Sequence, residues 1–142
     1  MDVDKFLDRI LFMMRNFGAC DDEDVVRACL LDLGLPCHVT GYRFLIYGTA
    51  QKHKDPDAMI TKDIYPAIAK RFGCTVVQAE AACRRIIQTG WNNRKQNWSH
   101  YFSEDKRPSN DEFICVMCEY LAYWEVCKRS YKQLMEDLSQ KS

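Results

Sequence analysis

The sequence lacks the features that direct a protein into a membrane or a secretory pathway. No apolar run approaches the roughly 20 residues that a membrane-spanning helix needs. Residues 1–5 are acidic and have neither the basic flank nor the apolar run of a signal peptide. We therefore expect a cytoplasmic protein that does not contact a membrane.

The sequence is also poor in the groups that carry out catalysis or hold cofactors. It contains three histidines, so there is little material for general acid–base chemistry. Neither a Walker-type nor a dinucleotide-binding glycine loop is present, and no Ser-His-Asp or Cys-His order suggests a nucleophile. We expect no catalytic residues, no cofactor and no enzyme activity.

Cysteine, in contrast, is abundant, with eight residues. An even count in a short chain suggests a disulfide framework only in a secretory context, which is missing here. Cys115 and Cys118 have the spacing of two zinc ligands, but no second paired motif supplies the other two ligands. We expect free, reduced, buried thiols, with Cys115 and Cys118 packed in the core, and no bound metal.

Helical periodicity is the main positive feature of the chain. Hydrophobic residues make up 47% of the 142 residues and charged residues 28%, which is enough apolar material for a core. Apolar side chains recur at helical spacing, and strand-like alternation is absent. We predict an all-α fold, a compact domain of about six helices. The predicted helices cover residues 3–17, 21–33, 42–53, 58–72 (one helix or two joined pieces), 76–91 and 110–138, and Trp98, Tyr101 and Phe102 anchor a loop before the last.

Residues 64–91 have the pattern of a helix-turn-helix. Ala69 is the small residue on which the second helix presses, and Gly73, four positions later, permits a left-handed turn. Thr75 can cap the second helix. The inner face of that helix carries small and branched residues, namely Ala79, Ala82, Cys83, Ile86 and Gly90. The pattern predicts a second helix that enters the major groove of DNA.

The outer face of the second helix carries residue types that recognise base edges, since glutamine pairs with adenine, arginine with guanine, and glutamate accepts from cytosine. The base-reading candidates are Gln78, Glu80, Ala81, Arg84 and Arg85. An alternative is that Glu80 and Arg84, four residues apart, form a surface ion pair.

The charge of the chain is unevenly distributed. Residues 34–107 contain twelve basic and six acidic side chains, a net charge of +6. The part before them has four basic and eight acidic side chains, and the part after them has four and six. A basic middle region favours contact with phosphates. The phosphate-contact candidates are Lys62, Lys70, Arg71, Thr75, Arg94, Lys95, Lys106 and Arg107.

Several segments around this motif are similar to one known family. They are residues 33–42 (LGLPCHVTGY), 60–62 (ITK), 65–72 (YPAIAKRF), Trp91 and residues 107–114 (RPSNDEFI). Because of these segments, the region of residues 24–125 resembles the C-terminal DNA-binding domain of the sporulation response regulators called stage-zero sporulation protein A. The resemblance implies an all-helical domain that binds promoter DNA.

The chain departs from this family in three places. The family's regulators carry an N-terminal phosphoacceptor receiver domain, and the roughly 20 residues before the similar region are too few for one, so we expect no aspartyl phosphorylation here. Gln78 and Ala81 stand where the family has arginines, and Arg85 stands where it has histidine, whereas Glu80 and Arg84 match. The family's DNA site is therefore not carried over. The last helix also continues well past the family's end.

These observations predict three parts and two candidate functions. Residues 1–20 form an accessory helix, residues 21–125 the DNA-binding domain, and residues 126–142 an extension of the last helix. The apolar stripes of the terminal helices pack on the core or on each other, or they bind a second copy or another protein. The predicted function is a transcription regulator that binds double-stranded DNA. The alternative is a protein-interaction module on the same scaffold, with reduced or lost DNA specificity.

Overall fold

The computed structural model describes residue 12 and residues 21–141, so the predicted accessory helix at residues 1–20 falls, residue 12 apart, outside it. The α-helices of residues 21–141 are α1 (Asp22–Asp32), α2 (Thr40–Lys54), α3 (Tyr65–Phe72), α4 (Val76–Asn92) and α5 (Asn110–Gln140). A π-helical turn, Ile60–Ile64, runs directly into α3, and a 3-10 helix, Gln96–His100, lies between α4 and α5. Because this part of the chain contains no strand, the predicted all-α fold is confirmed. None of its helices is both long and apolar enough to cross a membrane.

Side-chain caps fix where the helices begin. Asp21 precedes α1, and its carboxylate accepts a hydrogen bond from the backbone N–H of Asp24 at 2.9 Å. Ser109 precedes α5, and its hydroxyl accepts from the backbone N–H of Glu112 at 3.1 Å. Such caps satisfy N–H groups that the first turn of a helix leaves without partners. Local sequence therefore sets these boundaries, close to the predicted ones.

Helix α2 occupies the centre of the domain and packs against each of the other four α-helices. One long hydrophobic core forms around it, with side chains from α2, α4 and α5 that are almost fully excluded from solvent. The large members of this core include Phe44, Leu45, Ile86, Ile87, Phe113, Tyr120 and Trp124. The arrangement fixes α4 against α2 and leaves the outer face of α4 free for contact with other molecules.

Gly41 allows α2 and α4 to cross at close range. A Cβ atom at this position would overlap the backbone carbonyl oxygen of Ala82 and would lie 2.8 Å from Cγ2 of Ile86. A carbonyl of a packed helix cannot rotate away as the end of a side chain can. The position of α4 on the core therefore depends on the absence of a side chain at residue 41.

The segment between α4 and α5 is more ordered than the predicted loop, because it contains the 3-10 helix. Trp98 is 1% exposed, and its indole N–H donates to the carbonyl oxygen of Leu33 at 2.9 Å. The Tyr101 hydroxyl donates to the Asp32 carboxylate at 2.6 Å. Trp98 and Tyr101 are thus anchors, as predicted, and Phe102 packs partly buried beside them. Side-chain hydrogen bonds to the end of α1, which periodicity does not reveal, hold this segment in place.

The prediction of buried thiols was only partly correct. Seven cysteines lie among the described residues, and only Cys29 and Cys83 of them are buried. Cys37 and Cys115 are exposed, so the prediction that Cys115 packs in the core was wrong. Cys118 is partly buried, with its thiol 3.6 Å from the carbonyl oxygen of Thr49. A spacing of three residues falls short of one full helical turn, so Cys118 reaches the edge of the core while Cys115 faces solvent.

Native-state alkylation with iodoacetamide is expected to be fast at Cys37 and Cys115 and slow at Cys83. Burial raises the pKa of the Cys83 thiol to about 12, and the Glu80 carboxylate adds to this effect, so almost no thiolate forms near neutral pH. Timed labelling followed by peptide mass mapping measures the three rates. Labelling of Cys83 as rapid as that of Cys37 would contradict this account of its burial.

Candidate nucleic-acid interface

A tight three-residue turn joins α3 to α4. Gly73 has φ 69° and ψ 41°, the left-handed conformation that glycine adopts without steric penalty. The backbone N–H of Cys74 donates to the carbonyl oxygen of Ala69 at 3.0 Å and closes the end of α3. Thr75 is extended and caps α4. The left-handed turn predicted at Gly73 and the helix cap predicted at Thr75 are therefore confirmed.

One face of α4 is buried in the domain. It packs against α2, α3 and α5, and its small and branched residues fit between these helices. The buried residues of α4 are Ala79, Ala82, Cys83, Ile86, Ile87 and Gly90. This set contains every residue that the sequence assigned to the inner face, so the opposite face is the one available to a ligand.

The first turn of α4 projects from the domain and exposes two valines. Val77 is 76% exposed and Val76 is 39% exposed. Beside them, the Gln78 side-chain oxygen accepts from the Thr75 backbone N–H at 2.9 Å, while the Thr75 hydroxyl accepts from the Gln78 backbone N–H at 3.1 Å. This capping box occupies the side-chain oxygen of one predicted base reader. The exposed valines were missed in the sequence, because apolar residues were assigned to the inner face.

The next turn of α4 carries an ion pair. Nη1 of Arg84 lies 2.7 and 2.6 Å from the two carboxylate oxygens of Glu80. The two side chains are 51% and 36% exposed, and an exposed pair of this kind contributes little to stability. Arg84 can therefore exchange its partner at small cost. Arg85 is exposed and makes no side-chain hydrogen bond or ion pair with another residue of the described chain, and Ala81 is half-buried.

A cleft of about 390 Å³ lies between α3, α4 and the start of α5, and Arg84 and Arg107 both line it. Asn110 closes one side of the cleft. Its side-chain amide donates to the Tyr65 hydroxyl at 3.0 Å and to the Glu80 carbonyl oxygen at 3.1 Å. Burial raises the pKa of Tyr65 to about 12, although the hydrogen bond from Asn110 opposes the increase, so the phenol stays neutral. Asn110 thus ties α5 to both other helices.

The predicted phosphate contacts are not all in one place, since Lys70, Arg71 and Thr75 lie at the turn before α4 while Arg94 and Lys95 follow its far end. Arg107 is half-buried, and the other members of the set are exposed. The guanidinium of Arg94 stacks 3.7 Å from the ring centroid of Trp91 and donates to the Trp91 carbonyl oxygen at 2.9 Å. Arg71 lies 5.8 Å from the ring centroid of Phe72. These ring contacts position two of the cations while leaving the guanidinium edges available to an anion.

Replacing Thr75 with alanine is expected to lower the free energy of unfolding by about 1 kcal/mol, because the capping box at the start of α4 is lost. Urea denaturation without DNA measures the effect. Thr75→Ser keeps a hydroxyl at the same position and is expected to retain most of the stability. Equal stability of the alanine variant and the parent would show that the cap contributes nothing.

The geometry defines a class of protein. It is an all-helical domain in which a tight turn joins the short helix α3 to α4, an arrangement found in DNA-binding regulators. The family model described as "Sporulation initiation factor Spo0A C terminal" matches residues 26–121, and the chain belongs to this family. The resemblance seen in the sequence is thereby confirmed. The family consists of DNA-binding effector domains, so the chain is a DNA-binding regulator and not an enzyme.

Proposed function

We propose that the chain binds duplex DNA through a helix-turn-helix formed by α3, the turn at residues 73–75 and α4, with α4 lying in the major groove. The observation that carries the proposal is the division of α4 into two faces. One face is buried in the core. The other face is exposed at the first turn of α4 and at Arg84 and Arg85. A helix held in this way can enter the groove without disturbing the domain.

Different residues of α4 have different roles in this proposal. Arg85, without a protein partner in the described chain, donates to the O6 and N7 atoms of a guanine. Arg84 leaves Glu80 to contact a base or a phosphate. Val77 contacts the methyl group of a thymine, which is the major-groove feature that an apolar side chain recognises. Gln78 offers its amide N–H groups to a base acceptor while its oxygen keeps the cap.

The predicted phosphate contacts fix the orientation of the domain on the duplex. Thr75 and Lys70 lie beside the start of α4, and Arg107 lies in the cleft next to Arg84. Arg94 and Lys95 follow the end of α4. Residues 21–125 thus form the DNA-binding domain in this proposal. The protein is cytoplasmic and lies on chromosomal DNA when it is bound.

Replacing Arg85 with alanine is expected to weaken binding to the preferred duplex by about 1–3 kcal/mol, because the bidentate guanine contact is lost. Fluorescence anisotropy on the preferred and a scrambled duplex measures the change, which should be smaller on the scrambled one. Arg27→Ala, which removes a surface arginine of α1 paired with Asp24, is the matched control and should leave both affinities close to the parent. Equal losses for the two variants would contradict base reading by Arg85.

A second candidate role is a protein-interaction surface on residues 126–142, where Val126 and Leu138 of α5 are 51% and 53% exposed. In this role the surface binds a second copy or another regulator. Light scattering on the parent and on Val126→Glu tests self-association. A higher mass for the parent than for the variant favours a dimer, and the mass of one chain for both rules it out.

A further inference from the structure

Three side chains with metal-binding atoms converge at a point outside the proposed DNA interface. Asp22 lies in the first turn of α1, His53 near the end of α2, and Glu125 at the middle of α5. Nε2 of His53 lies 2.8 Å from Oε1 of Glu125 and 4.0 Å from Oδ2 of Asp22. One ligand atom from each residue falls within 4.8 Å of the other two.

The two carboxylates of the cluster carry more negative charge than the neighbouring protein groups neutralise. Among the described residues, neither carboxylate pairs with a lysine or an arginine, and His53 is the partner of both. Lys52, next to His53 in the chain, donates to the carbonyl oxygens of Pro56 and Ala58, and Arg129 donates to the backbone carbonyl of Glu125 rather than to its carboxylate. The histidine side chain is 17% exposed, so its ring is held in place while solvent ions can still reach the site.

We propose that Asp22, His53 and Glu125 bind a divalent transition-metal ion, and that Zn²⁺ fits this donor set best. One imidazole nitrogen and two carboxylate oxygens supply three ligands, and water supplies the fourth of a tetrahedral site. The imidazole selects against Mg²⁺ and Ca²⁺, which take oxygen ligands. Metal–ligand bonds of about 2.0–2.2 Å place tetrahedral ligand atoms roughly 3.4 Å apart. Small rotations of the two carboxylates, which are 31% and 45% exposed, bring the three atoms to this spacing.

The proposed site joins parts of the chain that the family match does not cover. Asp22 precedes and Glu125 follows the matched residues 26–121, whereas His53 lies within them. A bound ion therefore fastens the start of α1 and the extended part of α5 to the central helix. The expected consequence is a more stable attachment of the flanking segments to the domain.

Zinc titration of the full chain tests the proposal. The protein is treated with a chelator, exchanged into buffer with a non-chelating phosphine reductant, and titrated with Zn²⁺ in a calorimeter. One equivalent is expected to bind, and Zn²⁺ at a hundred times its Kd is expected to raise the Tm by about 10 °C. Mg²⁺ at the same concentration should leave the Tm unchanged, and an equal rise with Mg²⁺ would overturn the proposal.

Two substitutions at the proposed ligands distinguish this site from Zn²⁺ binding by thiols. Glu125→Gln and His53→Gln are each expected to lower Zn²⁺ affinity at least 10-fold and to abolish the Tm rise. Glu119→Gln, an exposed position on the same helix, should keep both properties of the parent. The side chain of Glu125 is partly exposed, so Glu125→Gln is expected to keep the helical fold, and circular dichroism checks this. Binding that survives both substitutions, or that is lost only after cysteine alkylation, would overturn the proposal, as would the absence of Zn²⁺ binding.

Discussion

Raising the salt concentration from about 50 to about 200 mM is expected to weaken binding to duplex DNA by about 10³-fold or more. Each phosphate that a lysine or arginine neutralises releases condensed counterions, and this release becomes less favourable as salt increases. Seven of the eight predicted phosphate contacts are basic side chains. If most of these side chains contact phosphates, the number of contacts falls in the range of roughly six to ten for which a loss of this size is expected.

Anisotropy titrations of a fixed duplex at five or six salt concentrations measure this effect as the slope of log K against log salt. Lys95→Gln should reduce the slope by about 0.9, the contribution of one phosphate contact on double-stranded DNA. Lys128→Gln, an exposed lysine on the extended part of α5, is the matched control and should leave the slope unchanged. A slope near zero for the parent would contradict phosphate contacts by the basic set.

Replacing Gly41 with valine is expected to lower the free energy of unfolding by about 3 kcal/mol. The added side chain meets the backbone carbonyl of Ala82 and the Cγ2 methyl of Ile86, so α4 must move away from α2. Such a shift opens the core beneath the helix that we propose to bind DNA. Urea denaturation followed by circular dichroism at low salt measures the loss.

Gly48→Ala is the control for this substitution. Its Cβ would lie 2.9 Å from Cδ1 of Ile68, which is the movable end of a side chain, and alanine also favours the helix by about 1 kcal/mol. We therefore expect a change within about 1 kcal/mol of the parent. A Gly41→Val variant as stable as Gly48→Ala would show that α2 and α4 do not cross at the described distance.

The sequence was sufficient to predict the scaffold of the motif, because local chemistry determines it. Thr75 caps α4 through a hydroxyl that acts within one turn, and Gly73 ends α3 through its own backbone conformation. The inner face of α4 follows from the 3.6-residue period alone. These features require no knowledge of what lies elsewhere in the chain, so they appear in the pattern of residues.

Features that depend on distant contacts could not be predicted in this way. The amide of Asn110 reaches Tyr65, 45 positions away, and the indole of Trp98 reaches Leu33, 65 positions away. The exposure of Cys115 depends on which face of α5 the rest of the domain covers. On the candidate interface itself, the composition showed which residues lie on the outer face. It did not show that Gln78 takes part in the cap, whereas the Glu80–Arg84 ion pair, named in the sequence as an alternative, is present in the structure.

Selection of bound sequences from a pool of random duplexes tests the central claim, that α4 reads DNA, most directly. The parent is expected to enrich a defined motif, and Arg85→Ala is expected to relax the preference at a guanine within it while the rest of the motif persists. Failure of the parent to bind any duplex at low salt would contradict the claim. So would an enriched motif that the Arg85→Ala variant leaves unchanged.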